Sequence, residues 1–122
     1  MVPILIVDDE LGVRESLKIV FSKDYAVHEA DCMEAALRKV QEIKPAVVLL
    51  DVLLPKTDGI EVLRQIKAIH PGCEVIMLTA LNTRQLAATA REHGARDLIG
   101  KPFDVADLRR KVDGALEKVA TS

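Results

Sequence analysis

The sequence has no tryptophan and only three aromatic residues, Phe21, Tyr25 and Phe103, so bases or a flat cofactor would find few platforms to stack on. Its two cysteines, Cys32 and Cys73, lie far apart and match neither a disulfide framework nor a C-x-x-C metal spacing, and two buried or half-buried thiols in a reducing cytosol are expected. Neither sign of charge dominates. With 17 basic and 19 acidic residues the formal net charge is −2, which supplies no positive field for a phosphate backbone and argues against nucleic-acid binding. The longest purely apolar run, Ala46 to Leu50, is much too short to cross a bilayer, and the opening Met1-Val2-Pro3-Ile4 lacks the layout of a signal peptide. A cytoplasmic protein with no membrane contact is the expectation. Internal repeats, low-complexity segments and module linkers are also missing.

What remains is a chain of 122 residues, 49% hydrophobic and 30% charged, enough for one domain over residues 1–122 with a packed core over 3–119. Short apolar runs alternate with longer stretches in which apolar residues recur every three or four positions, a strand-then-helix pattern. Ile4-Leu5-Ile6-Val7, Val47-Val48-Leu49-Leu50 and Val75-Ile76-Met77-Leu78 are continuous and rich in branched residues, as befits central parallel strands covered on both faces. Tyr25 to Ala30 and Asp97 to Gly100 are more mixed and suit sheet edges.

The helices have readable ends. Val13, Leu17, Val20 and Phe21 define the first. Asp31 followed by Glu34 resembles a capping box before the stripe Met33, Ala36, Leu37, Val40, closed by Pro45. Asp58 is expected to cap a third helix ended by Pro71-Gly72; Asn82 or Thr83, a fourth, with Gly94 in the left-handed region after it. Asp104 is expected to cap a last helix carrying Val105, Leu108, Val112, Ala115, Leu116 and Val119. Five strand-helix units predict an α/β fold with a five-stranded parallel, doubly wound (βα)5 sheet, because parallel neighbours need right-handed crossovers. In such sheets ligands bind at the carboxyl ends of the strands.

At those ends stand Asp8, Asp9 and Glu10 after the first strand, Asp51 at the third, Thr79 at the fourth and Lys101 after the fifth. Carboxylates gathered in a partly dehydrated pocket repel one another, and a divalent cation relieves the repulsion. The donors on offer are oxygens, which favours the hard ion Mg²⁺ over zinc. An aspartate beside a hard cation, a lysine and a hydroxyl can receive a phosphoryl group, and it needs no separate base because it is already ionised at neutral pH.

The four motifs Val7-Asp8-Asp9-Glu10, Asp51 to Gly59, Leu78-Thr79-Ala80 and Gly100-Lys101-Pro102-Phe103, in this order and spacing, resemble the receiver domain of two-component response regulators over about the whole chain. The resemblance implies a flavodoxin-like strand order 2-1-3-4-5 and a phosphorylation-activated signalling switch. Asp51 would accept the phosphoryl group from a phosphohistidine on a histidine kinase or phosphotransfer protein, as in a phosphorelay. Asp9, Asp51 and the backbone carbonyl of Leu53 would be direct Mg²⁺ ligands, with Asp8 acting mainly through water. Thr79 and Lys101 would hold the phosphoryl oxygens, the Lys101-Pro102 bond would be cis, and the output surface would be the fourth helix, fifth strand and fifth helix. A homodimer through that face and an effector domain or partner outside this chain are further implications.

Some positions depart from the family's pattern. Leu98 stands where an aromatic switch residue is usual, and a leucine has no ring to swing, so coupling from Thr79 to the output face is expected to differ. Leu53 and Leu81 flank the path of an attacking water and cannot orient it by hydrogen bonding, so slow self-dephosphorylation is expected. Asp97 and Lys111 can pair on the output face, while Ala87 leaves the fourth helix without one expected charge.

Singly, each motif has a plainer account: an acidic turn at Asp8-Asp9-Glu10, a turn former at Asp51, a helix cap at Thr79, a surface lysine at 101. Order and spacing together outweigh these. His28, His70 and His93 share no strand end or helical face and suggest no metal site. An aspartate-nucleophile phosphatase would need an Asp-x-Asp pair, whereas Asp8 is followed two residues later by Glu10. A flavin carrier would need a phosphate loop and stacking aromatics. A phosphate-independent receiver-like interaction module has Leu98 as its best support and the intact trio Asp8, Asp9, Glu10 with Lys101 against it.

Overall fold

A computed structural model describes residues 1–54, 56–81 and 83–121, with side chains as far as residue 117; Pro55, Asn82 and the side chain of Val119 lie outside the described residues. In chain order the first elements are β1 (Pro3–Val7), α1 (Leu11–Phe21), β2 (Ala26–Ala30), α2 (Met33–Ile43) and β3 (Val47–Asp51). Then come β4 (Leu53–Leu54), β5 (Thr57–Asp58), α3 (Gly59–Ile69), β6 (Glu74–Thr79), α4 (Arg84–Glu92), β7 (Asp97–Gly100) and α5 (Val105–Thr121). Five strands form one parallel sheet in the order β2-β1-β3-β6-β7. This is the expected 2-1-3-4-5 arrangement, since β6 and β7 are the fourth and fifth strands of the main sheet.

Alternation along the strands builds two cores, because successive side chains point to opposite faces. Ile4, Ile6, Leu49, Ile76 and Leu78 pack with Leu17 and Phe21 of α1 and Leu108 and Val112 of α5. Leu5, Val7, Val48, Leu50 and Met77 pack on the other face with Val40 of α2, Leu63 and Ile66 of α3 and Ala90 of α4. All residues of β3 are buried, as a central strand covered on both faces requires. The strands expected at the edges, β2 and β7, are at the edges. Among the described residues no helix is long and apolar enough to cross a membrane.

Several caps follow the sequence. Asp58 accepts the Ile60 N–H at 2.9 Å, Thr83 accepts the Leu86 N–H at 3.1 Å, and Asp104 accepts from Ala106 and Asp107 at 2.8 and 3.2 Å. Gly94 takes the left-handed conformation, φ 101°. The capping box at Asp31 does not form: α2 begins one residue later than such a box needs. Cys32 is the N-cap, extended at φ −156° and without a side-chain cap bond, because a thiol is a weak acceptor. The helix ends at Lys44 in a left-handed conformation, immediately before Pro45. The third helix stops at Ile69, with His70 as its C-cap, since the residue before a proline is biased away from helix.

The hairpin of β4 and β5 was not anticipated. Leu53 pairs with Asp58 and Leu54 with Thr57, and Lys56 takes a positive φ of 60° between them. Gly59 closes this loop: its N–H donates to the Val52 carbonyl at 3.0 Å, and a Cβ placed there would lie 2.4 Å from the same oxygen. Cys32 is half-buried and Cys73 buried, both free, as expected; burial pushes the Cys73 thiol up to about 11.

Candidate phosphoryl-acceptor site

Strand register decides which residues meet. Val7 pairs with Leu50, Asp51 with Leu78, and Thr79 with Gly100. Asp8 therefore emerges beside Asp51, Asp51 beside Thr79, and Thr79 beside Lys101. Two backbone bonds past the ladders continue the alignment, from Val52 N–H to the Leu78 carbonyl at 2.9 Å and from Lys101 N–H to the Thr79 carbonyl at 2.7 Å. The Lys101-Pro102 peptide is cis.

The side chains at this edge are polar yet secluded, with Asp8 1%, Asp51 4% and Thr79 0% exposed. Lys101 reaches back across the sheet end, its Nζ 3.0 Å from Oδ2 of Asp8 and 3.6 Å from Oδ2 of Asp51. Asp8 also accepts the Glu10 N–H through Oδ1 at 2.9 Å. Asp51 accepts the Leu53 N–H through Oδ1 at 3.1 Å. The Thr79 hydroxyl oxygen accepts the Leu81 N–H at 2.9 Å.

Burial raises the Asp51 carboxyl above its ordinary range; the Leu53 N–H opposes this, Asp8 adds to it, Lys101 opposes it and Asp9 adds to it. Burial works against the Lys101 charge, but its hydrogen bond to Asp8 and the fields of Asp8, Asp51 and Glu10 outweigh it and raise the ammonium. The pocket thus carries an excess of negative charge that one lysine only partly offsets.

Asp8, Asp9 and Glu10 bring one carboxylate oxygen each to within 4.8 Å of one another, with Asp8 buried and the other two exposed. Asp51 lies outside that trio and is linked to it through Lys101. The donors are all oxygens and the charge is unbalanced, so the residues fit a hard divalent cation such as Mg²⁺. Leu53 and Leu81 sit at the rim, 53% and 56% exposed. Asp9 is exposed, open to a ligand from solvent.

The residues expected on an output surface lie elsewhere. Leu98 is buried on the core face shared with α4, paired with Met77 in the sheet. Asp97 pairs with Lys111 of α5 at 2.8 Å and lies 3.8 Å from Arg91 of α4, so it ties both helices to β7. Burial works against the Asp97 charge, but the Lys111 hydrogen bond, the Leu98 N–H and the fields of Lys111 and Arg91 hold it below the usual range.

One residue at the site was missed from sequence. Arg14, on α1, donates through Nη1 to the Asp8 carbonyl at 2.8 Å and through Nε to Glu29 on β2 at 3.0 Å. No pattern in the sequence pointed to it: Arg14 and Lys18 lie one helical turn apart, but both cations meet Glu29 only through the packing of α1 on β2.

The family model for the response regulator receiver domain matches residues 4–113. The chemotaxis protein CheY of Listeria monocytogenes is 42% identical over 122 residues, covering 98% of this chain and 99% of that protein. The sporulation initiation phosphotransferase F of Bacillus subtilis is 39% identical over 110 residues, covering 89% of each. Among solved structures, a CheY-like response regulator receiver domain protein from Methanospirillum hungatei superposes with a TM-score of 0.94 at 28% identity, covering 99% of this chain and 98% of that one.

Proposed function

Because this chain belongs to the response regulator receiver domain family and is a phosphorylation-activated signalling switch, we propose that Asp51 is the residue that accepts the phosphoryl group. The observation that carries the reading is Asp51 at the end of β3, 4% exposed, with Lys101 Nζ 3.6 Å from its Oδ2. An Oδ atom of Asp51 attacks phosphorus, the bond to the donor's imidazole nitrogen breaks, and the imidazole leaves with the electron pair. Lys101 moves from balancing Asp8 and Asp51 to holding a phosphoryl oxygen, and the Thr79 hydroxyl donates to another. Asp8, Asp9, Asp51 and the Leu53 carbonyl would hold Mg²⁺, which when bound neutralises the charge shared by carboxylates and phosphoryl oxygens.

The donor is a histidine kinase or a phosphotransfer protein, met in the cytoplasm, and residues 1–122 act as one receiver unit. The surface formed by α4, β7 and α5 is the output, where phosphorylation biases two arrangements and a homodimer or effector docks. The test is intact-protein mass after incubation with acetyl phosphate and Mg²⁺, for wild type, for Asp51→Asn and without metal. One added phosphoryl group that needs Mg²⁺ and vanishes in Asp51→Asn is expected. An adduct that persists in Asp51→Asn would assign the acceptor elsewhere.

Self-dephosphorylation is slow in this reading, because Leu53 and Leu81 cannot hold the attacking water. Leu53→Gln is expected to shorten the phosphoprotein's half-life after Mg²⁺-dependent loading by about tenfold, the worth of one orienting hydrogen bond of ~1.4 kcal/mol. An unchanged half-life would count against the rim leucines as the cause.

A further inference from the structure

Asp8 is held at four atoms, and two of the holds come from outside the acidic pocket, from β2 and from α1. Its N–H donates to the Ala30 carbonyl at 3.1 Å, its Oδ1 accepts from the Glu10 N–H at 2.9 Å, and its Oδ2 accepts from Lys101 at 3.0 Å. The fourth is its carbonyl oxygen, which accepts from Arg14 Nη1 at 2.8 Å. The register of β1 with β3 ends at Val7 and Leu50, so this carbonyl lies past the paired strands and takes its donor from α1.

We propose that Arg14 is a positioning residue for the Mg²⁺ and phosphoryl site, fixing the loop of Asp8, Asp9 and Glu10 before any cation arrives. The inference rests on reading that pocket as the Mg²⁺ site. Three carboxylates within 4.8 Å repel one another and favour a spread loop, and a donor locked onto the Asp8 carbonyl opposes the spreading. The lock is itself anchored. Glu29 on β2 receives Arg14 Nε on Oε1 at 3.0 Å and Lys18 Nζ on Oε2 at 3.1 Å, so the carboxylate is held by two cations of the same helix. With Nε fixed on Glu29, the planar guanidinium has little freedom to swing Nη1 away from the Asp8 carbonyl. The Arg14 side chain is 15% exposed, unlike the open ion pairs of α3 and α5. Partners of this kind, which orient a metal-holding group without touching the metal, commonly change affinity by large factors when removed.

The test uses the full chain as wild type, Arg14→Met, Arg14→Lys and Lys18→Met. Three quantities are read: Mg²⁺ affinity by titration calorimetry, amide hydrogen exchange at Glu10 without Mg²⁺, and thermal melting. Arg14→Met is expected to melt as a folded protein, to bind Mg²⁺ about tenfold more weakly and to exchange the Glu10 amide faster than wild type. Arg14→Lys keeps the charge but not the fork, and should recover only part of both losses. Lys18→Met breaks a Glu29 ion pair while leaving the Asp8 contact, and should stay near wild type in both. Arg14→Met with wild-type affinity and wild-type Glu10 protection would overturn the inference, as would an equal loss in Lys18→Met. Wild type that binds no Mg²⁺ would instead overturn the metal reading, while the Glu10 exchange still decides whether Arg14 holds the loop.

Discussion

As the proposed phosphoryl acceptor, Asp51 meets two opposed requirements: it would have to be ionised to attack, yet it is buried beside Asp8 and near Asp9. Burial first, then its acidic neighbours, raise its carboxyl, so the folded protein keeps this proton to higher pH than the unfolded chain does. The sign follows from linkage: stability is lost as pH rises through the carboxylate range, up to the raised folded value. Asp51→Asn is therefore expected to melt a few degrees higher than wild type at pH 7 without Mg²⁺, with the advantage vanishing at acid pH, where both forms are neutral. Urea denaturation of the two proteins across pH would check this, and equal stabilities at pH 7 would contradict it. Lys101 carries the complementary burden. Lys101→Met leaves the buried Asp8 carboxylate without its cation, at an expected cost of about 1–3 kcal/mol, below the usual range for a buried pair because Lys101 is 19% exposed. The same substitution removes a competing charge and should tighten Mg²⁺ binding, measured by calorimetry. The chemistry of these residues was legible in the sequence as carboxylates, hydroxyl and lysine at successive strand ends. The grip of Arg14 was not, because it depends on how α1 lies against β2.

The loops decide whether those side chains are aimed. Between β3 and α3 the chain folds into a two-by-two-residue hairpin, and Gly59 returns to within hydrogen-bond distance of Val52. A methyl at Gly59 would meet three backbone atoms of Val52, none of which can turn aside as a flexible side chain could. Gly59→Ala is expected to shift this loop, displace the Leu53 N–H from Asp51 and slow phosphorylation by acetyl phosphate several-fold, with a lower melting temperature. A wild-type rate would show that the loop adapts without disturbing Asp51. In the sequence Gly59 stood as the last residue of the Asp51 to Gly59 motif, and its close approach to Val52 is visible only once β4 and β5 pair. Helix ends divide in the same way. Asp58, Thr83 and Asp104 cap as their positions implied, since an oxygen side chain directly before a helix has an amide in reach. Asp31 does not, because the start of α2 is set by the packing of Ala36 and Val40 on the sheet, which places Cys32 at the cap.

The two cores on opposite faces of one sheet make β3 the mechanical centre of the molecule. Leu49 is fully buried among α1 and α5 residues, and Asp51 is two residues along the same strand. Leu49→Ala is expected to cost about 3 kcal/mol, read as a lower urea midpoint with an unchanged slope. A loss below about 1 kcal/mol would mean that this core collapses around the gap. On the expected output face, Asp97 joins α4 and α5 through Arg91 and Lys111 within one chain. A partner or second copy that docks there has to share or break this pairing. Leu98 is packed in the α4-side core, so under the proposed switch any coupling from Thr79 to that face would have to run through helix repacking, since there is no aromatic ring at this position to rotate.

Periodicity and strand-end residues were enough to establish the doubly wound sheet and the grouping of Asp8, Asp51, Thr79 and Lys101, because a parallel sheet sends every strand's carboxyl end to one edge, while the strand order followed only from the resemblance of the four motifs to the receiver family. Register and loop closure belong to the folded molecule. Pairing of Val7 with Leu50 and Thr79 with Gly100 sets which carboxylate the lysine grips. The β4–β5 hairpin, the Gly59 approach and the Arg14 lock arise from contacts between segments distant in sequence or from backbone turns without a residue signature. No pattern along the chain encodes such contacts until packing brings the segments together.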